Sequence, residues 1–274
     1  MFDRVIAGID GTRASFDAGR QASRLTRPSG SLTLLAATDP YLAVLNRWGP
    51  RTLVEEGELQ KVGSPPLAQE RLVQYADESL ADMRAQLTAP ASITQRVVDG
   101  AGLDALRRVA ESENAQLIAL GDHGYRRLLG IARSSTATEL LHEAPCSVLI
   151  ARRPFDPAAF PARLVVGVDS SDESLVGLEV AKSMLSAMGG EATGHVLVAA
   201  GTDSDLSEIE RRASPLSVVR KDARAVKALT DASESADLLV VGARGLSGAT
   251  ALGSVSERVA HSAECSVLVV RSTG

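Results

Sequence analysis

The residues best suited to chemistry lie in two short turns bracketed by glycine, Gly121-Asp122-His123-Gly124 and Gly242-Ala243-Arg244-Gly245. Glycine has no Cβ, so backbone N–H groups beside it can approach an anion closely. A helix start follows each turn, at Ser134-Ser135 in the first case and at Gly253-Ser254-Val255-Ser256 in the second. The unpaired N–H groups at a helix N-terminus favour phosphate, and the serine hydroxyls add donors. Upstream, Val5-Ile6-Ala7-Gly8-Ile9-Asp10 and Val165-Val166-Gly167-Val168-Asp169 each end an apolar run in a carboxylate. That carboxylate can accept a hydrogen bond from a ribose or a base, or orient the loop. His123 and Arg244 hold the same place in their turns and could face a phosphate or solvent. The plainer alternative is that Gly121 and Gly124 turn the chain while Ser135 caps a helix.

These groups suit binding rather than turnover. No general base stands beside the proposed phosphate positions, no Ser-His-Asp or Cys-His arrangement stands out, and Gly-x-Ser-x-Gly is absent. No residue is therefore assigned a catalytic role. His142, His195 and His261 have no partners at metal-ligand spacing, so no metal site is assigned either. The acidic run Asp169-Ser170-Ser171-Asp172-Glu173 reads as a helix start, with Ser and Asp as caps and Glu173 complementing the dipole.

The elements that must position these groups recur. Ala144-Pro145-Cys146-Ser147-Val148-Leu149-Ile150-Ala151-Arg152 is matched by Ala263-Glu264-Cys265-Ser266-Val267-Leu268-Val269-Val270-Arg271. A repeat on this scale is a duplicated domain rather than a solenoid, whose periods run roughly 20 to 50 residues. Apolar β-branched runs predict strands at Arg4–Ile9, Ser31–Ala36, Ile93–Val98, Gln116–Leu120 and Ser147–Ala151. The second copy predicts them near Leu164–Val168, Gly194–Ala199, Leu216–Val219, Leu238–Val241 and Ser266–Arg271, with helical patterns between strands in both. Runs such as Leu238-Leu239-Val240-Val241 are apolar throughout, as in a parallel sheet covered on both faces. The fold class is thus α/β, with two tandem doubly wound five-stranded parallel-sheet domains. In the strand order 3-2-1-4-5 the ligand crevice falls at the switch point between strands one and four. Asp10, Asp169 and both glycine turns converge there.

Three prolines in Arg152-Arg153-Pro154-Phe155-Asp156-Pro157-Ala158-Ala159-Phe160-Pro161-Ala162 mark a boundary. The expected division is a first domain over 1–153, a linker over 154–162 and a shorter second domain over 163–274. Asp10 and Gly121 are 111 positions apart, whereas Asp169 and Gly242 are 73 apart. The extra length falls after the second strand, from Thr38 to about Pro66, and contains Trp48. It is either a lid over the crevice or a surface excursion.

Net charge of −5 argues against a dedicated nucleic-acid binder, which needs a basic stripe. An aromatic content of 3% leaves few stacking platforms for bases. The apolar runs fall far short of the ~18 residues of a membrane helix. Met1-Phe2-Asp3-Arg4 shows no signal-peptide pattern, so a cytoplasmic location is expected. Cys146 and Cys265 open equivalent strands and read as buried thiols rather than as a redox pair.

Taken together, Val-x-x-Gly-Ile/Val-Asp, Gly-x-x-Gly, the Gly-Ser helix start and Ala-x-Cys-Ser-Val-Leu resemble the universal stress protein family, its tandem-domain members best. The resemblance covers almost the whole chain, twice. It implies the adenine nucleotide α-hydrolase-like fold, and ATP or AMP bound through Gly-x2-Gly-x9-Gly-Ser/Thr with the strand-one Asp near the adenine. Mg2+ could accompany ATP, and no tightly bound metal is expected. The first copy keeps the spacing, with nine residues between Gly124 and Ser134, but has serine in place of the third glycine and Ala137 in place of a frequent hydroxyl. The second keeps Gly253-Ser254-Val255-Ser256 with seven residues after Gly245. Two missing residues could move a loop by several ångströms, at ~3.5 Å per extended residue, so spacing favours the first copy. The implied function is a stress-response sensor or regulator. The alternatives are an interaction protein with degenerate sites and an ATP-hydrolysing enzyme, although the Ser-Gly-Gly-x-Asp-Ser loop of the wider hydrolase group is absent. The resemblance also implies antiparallel pairing of the two last strands in an intrachain pseudo-dimer, with further homodimerisation open.

Overall fold

The computed structural model describes residues 1–38, 65–88, 90, 92–122, 136–152, 159–200, 206–243 and 252–272. In the first half, β1 (Phe2–Gly8) leads through α1 (Arg13–Leu25) to β2 (Thr26–Thr38), and α2 (Pro65–Ala85) precedes β3 (Ser92–Asp99). Then come α3 (Gly102–Glu113), β4 (Leu117–Gly121), α4 (Thr136–Glu143) and β5 (Ser147–Ala151). The second half runs β6 (Arg163–Gly167), α5 (Asp172–Ala187), β7 (Thr193–Ala199), α6 (Leu206–Ala213) and β8 (Ser217–Lys221). It ends with α7 (Ala225–Ser233), β9 (Leu238–Gly242), α8 (Ser254–Ser262) and β10 (Ser266–Val270). The fold is thus the expected tandem doubly wound α/β fold.

The described strands form one sheet in the order β3-β2-β1-β4-β5-β10-β9-β6-β7-β8. Pairing within each half is parallel, and β5 meets β10 antiparallel. Leu149 lies opposite Leu268, flanked by Ile150 with Val267 and by Val148 with Val269. The equivalent leucines therefore meet on a local two-fold axis, and the residues flanking them exchange places across it. The pairing covers two apolar edges that would otherwise be open templates for other strands.

Alternation along the strands then builds two cores, each shared by both halves. Leu149 and Leu268 point to the layer that holds Ala18 of α1, Leu80 of α2, Leu178 of α5 and Ile209 of α6. Val148, Ile150, Val267 and Val269 point to the opposite layer, with Val109 of α3, Leu140 of α4, Leu229 of α7 and Val259 of α8. Phe160, inside the segment expected to be a linker, is 1% exposed, and its carbonyl accepts from Arg24 Nε at 3.1 Å. The end of that segment is part of the core. The predicted strand Ser31–Ala36 is extended at its start, because β2 begins at the residue that closes α1. The 38–66 insertion, with its lid reading, falls almost wholly outside the described residues.

Polar groups repeat the symmetry at the seam. Arg152 N donates to Ser266 Oγ at 2.8 Å, and Arg271 N donates to Ser147 Oγ at 3.1 Å. Each guanidinium then crosses to the other half. Arg152 Nη2 reaches the Ala260 carbonyl of α8 at 2.6 Å, and Arg271 Nη2 reaches the Leu141 carbonyl of α4 at the same distance. Cations near helix C-termini satisfy carbonyls that have no partner within the helix.

Cys146 and Cys265 are buried free thiols, and burial pushes both up to about 12. A thiol titrating that far above neutrality holds almost no thiolate at pH 8, and the thiolate is the reactive form. Native protein treated with iodoacetamide at pH 8 should keep both cysteines unmodified by mass spectrometry, and both should alkylate in urea. Rapid native alkylation of either would contradict this packing.

Candidate functional site

After β1 the chain makes a tight turn into α1. Asp10 Oδ1 accepts from Thr12 N at 3.0 Å and from Thr12 Oγ1 at 2.6 Å, while Ser15 Oγ accepts from Asp10 N at 3.2 Å. Thr12 in turn caps α1 by accepting from Ser15 N. The second half repeats every contact. Asp169 Oδ1 accepts from Ser171 N at 3.2 Å and Ser171 Oγ at 2.5 Å, Asp169 N donates to Ser174 Oγ, and Ser171 caps α5. Short polar side chains bonding to their own backbone in this way start helices. The pattern Asp-x-Ser/Thr-x-x-Ser occurs in both copies. It gives each aspartate the loop-orienting role, with Oδ1 held in the turn.

The middle residue of the turn needs a left-handed backbone, with φ of 77° at Gly11 and 64° at Ser170. A side chain at Gly11 would collide with the Tyr75 hydroxyl on α2. Burial raises the Tyr75 phenol above its usual range, against a hydrogen bond from Ser79. The carboxyl end of β1 thus lies directly beneath α2.

The first glycine of each predicted phosphate turn has a packing role. A Cβ on Gly121 would overlap the carbonyl carbon and oxygen of Ala14, in the first turn of α1. A Cβ on Gly242 would come within 2.5 Å of the same atoms of Glu173, in the first turn of α5. Strand and helix backbones meet here with no room for a side chain. His123, Gly124, Ser134, Ser135, Arg244 and Gly245 lie outside the described residues.

The other end of the second turn is described. Gly253 precedes α8 in extended backbone, at φ −72° and ψ 145°, and no side chain caps the helix. Ser256 is 4% exposed and donates from Oγ to the Gly242 carbonyl at 2.6 Å. That bond ties the first turn of α8 to the end of β9, beside β6, at the switch point. The seven-residue connection therefore still returns Gly253 and Ser254 to the glycine that ends β9. Ser254 is exposed, and the first N–H groups of α8 have no partner within the helix. In the first half, α4 is described from Thr136, so its matching contacts lie outside the described residues.

The two crevices carry different charges. Asp99, opposite Thr38 at the end of β3, accepts from Thr38 Oγ1 at 2.7 Å and from Gln69 Nε2 at 2.9 Å. The matching place in β8, opposite Ala199, is Lys221, and Arg220 and Arg224 beside it are also exposed. On the far side of the crevices, Arg13 opens α1 whereas Asp172 and Glu173 open α5. A cleft of about 430 Å³ lies between α1 and the ends of β4 and β5, lined by Thr12, Arg13, Ala14, Asp17, Asp122, Ala151 and Arg152. Its carboxylates are paired, Asp122 with Arg152 at 2.8 Å and Asp17 with Arg20 at 2.5 Å. Asp122 and Arg152 were missed as site residues because the contact joins two strand ends far apart in sequence. Among the described residues no group of His, Cys, Asp and Glu is arranged to hold a metal, and no described helix is long and apolar enough to cross a membrane.

Sheet order, crossovers and crevice position define an adenine nucleotide α-hydrolase-like fold in tandem. The model of the universal stress protein family matches residues 1–152 and 197–271, and the chain belongs to that family. A universal stress protein of Mycolicibacterium smegmatis is 33% identical over 190 residues, which cover 58% of this chain and 63% of that protein. One from Mycobacterium tuberculosis is 29% identical over 195 residues, covering 59% and 64%. The matches thus span under two thirds of these relatives. The crystal structure of a universal stress protein from Archaeoglobus fulgidus superposes with a TM-score of 0.68 at 19% identity, covering 97% of this chain and 95% of that one. A putative universal stress protein from Pseudomonas aeruginosa gives 0.60 at 18%, covering 99% and 94%. These structures share the fold.

The glycine contacts yield a test of the packing. Gly242→Ala should lower the unfolding free energy by about 1–3 kcal/mol through overpacking. Gly102→Ala, where a Cβ meets nothing within 4 Å, should stay within about 1 kcal/mol of the parent. Urea denaturation followed by circular dichroism measures both, and equal effects would contradict the geometry.

Proposed function

We propose that this chain binds an adenine nucleotide at the second-half crevice and acts as a cytoplasmic stress-linked sensor or regulator rather than as an enzyme. The observation that carries this is the start of α8, which no side chain caps and which Ser256 holds against Gly242 at the switch point. Such a start presents backbone donors and a positive dipole end to an anion. Arg220, Lys221 and Arg224 along the β8 side place positive charge where the first crevice has Asp99, with Asp172 and Glu173 on the far side. In this reading Gly242, Gly253 and Ser254 receive the phosphates with Arg244 and Gly245, Ser256 braces the helix, and Asp169 sets the loop. Asp10, Gly121, His123, Gly124, Ser134 and Ser135 form the cognate first site, where the carboxylates of the adjoining cleft are already paired with arginines. Asp169 Oδ1 and the Ser256 hydroxyl proton are both engaged, which supports binding over turnover.

One observation favours a second reading, an interaction protein with degenerate sites. The turn geometry and the Gly121 and Gly242 contacts are accounted for by folding alone. Calorimetry with ATP and AMP separates the two. The nucleotide reading expects a Kd below about 1 mM, weakened at least about tenfold by Ser254→Glu, which sets a carboxylate against the phosphate. No heat at millimolar ATP would overturn it in favour of the interaction protein.

A further inference from the structure

The two arginines that close the β5–β10 seam are equivalent in sequence, yet only one of them meets a carboxylate in the adjoining glycine turn. Arg152 Nη2 lies 2.8 Å from Asp122 Oδ2, and Asp122 follows Gly121 directly. The same guanidinium donates to the Ala260 carbonyl at 2.6 Å and to the Cys265 carbonyl at 3.2 Å. Its side chain is 9% exposed. Its own backbone is fixed by Ser266 Oγ and by Gln21 Nε2 of α1, which donates to the Arg152 carbonyl. Arg271 reaches the Leu141 and His142 carbonyls of α4 in the mirror arrangement, but the residue after Gly242 is Ala243. Ala243 N donates to the Val270 carbonyl as Asp122 N donates to that of Ala151, so the backbone frame is the same with alanine in the place of the aspartate.

We propose that the Asp122–Arg152 ion pair clamps α8 from the first half of the chain, making Arg152 a positioning residue for the helix start that receives the ligand in the second half. Its functional meaning rests on the reading of α8 given above, while the clamp itself does not depend on a ligand. A guanidinium this buried needs a counter-charge as well as carbonyl acceptors. Asp122 supplies it from the first glycine turn. Without that carboxylate the head group gains by swinging to solvent, which releases Ala260 and Cys265. Helix α8 is short, Ser254–Ser262, so a hold on the Ala260 carbonyl fixes its whole length, including Ser256 against Gly242. Through this pair the first crevice grips the helix of the second.

Amide hydrogen exchange by mass spectrometry on the ligand-free full chain tests the clamp. Asp122→Asn should speed exchange in peptides of α8 about fivefold and leave α4 within about twofold of the parent, as loosening of a local unit requires. Ala243→Asp, which places a carboxylate at the position equivalent to Asp122, should slow exchange in α4. Unchanged α8 exchange in Asp122→Asn, or equal acceleration of α4 and α8, would overturn the clamp. Calorimetry with ATP on the same variant separates the two claims. Severalfold weaker binding with unchanged protein stability supports positioning, and unchanged affinity alongside a loosened α8 overturns it. If the parent protein binds no ATP, the nucleotide reading fails and the exchange data alone decide the clamp.

Discussion

The antiparallel ladder between β5 and β10 is the contact on which the remaining structure depends. Each half alone would end in a fully apolar edge, with Val148 and Ile150 on one side or Val267 and Val269 on the other. Joined, the two edges make a ten-stranded sheet whose two faces carry cores that run through both halves. Fully burying a leucine or valine is worth roughly 1.5–3 kcal/mol, so a three-pair apolar seam is comparable to a large part of a domain's net stability of 5–15 kcal/mol. The segment before β6 follows from the same constraint, because Phe160 is packed into the shared core.

With the scaffold shared, the two crevices are free to diverge at their rims. Each keeps the aspartate turn, the helix cap and the glycine at the strand–helix crossing, which are the parts the fold itself requires. They differ where nothing in the scaffold dictates the residue: Asp122 against Ala243, Asp99 against Lys221, Arg13 against Asp172. The first crevice has charges largely paired among themselves, as in Asp122 with Arg152 and Asp17 with Arg20. In the second crevice the exposed cations along β8 stand across from Asp172 and Glu173 at the start of α5. A duplicated fold can in this way carry two different sets of rim charges without altering either core.

Most of the architecture was legible because fully apolar β-branched runs leave little alternative to buried parallel strands, and the repeat fixed their order twice. The aspartate turn was legible in the second copy, where the run from Asp169 to Glu173 reads as a helix start, because its contacts are local. Gly121 and Gly242 were ambiguous for a physical reason. A glycine before a helix serves phosphate approach or backbone crossing equally well, and only the position of α1 or α5 decides. Arg152 and Arg271 were illegible because the helix carbonyls they reach lie more than a hundred positions away in the other half. Spacing favoured the first copy as the ligand site, yet Ser256 shows the shorter connection of the second copy returning α8 to the end of β9.

Photolabelling with 8-azido-ATP, followed by peptide mapping, asks most directly where a nucleotide sits. Label concentrated in the peptides that carry Asp169 and the stretch from Gly242 to Ser256, and lost on competition with ATP, is the predicted result. Label confined to the peptides around Asp10 and Gly121, or no label that ATP competes away, would contradict the assignment of the second crevice.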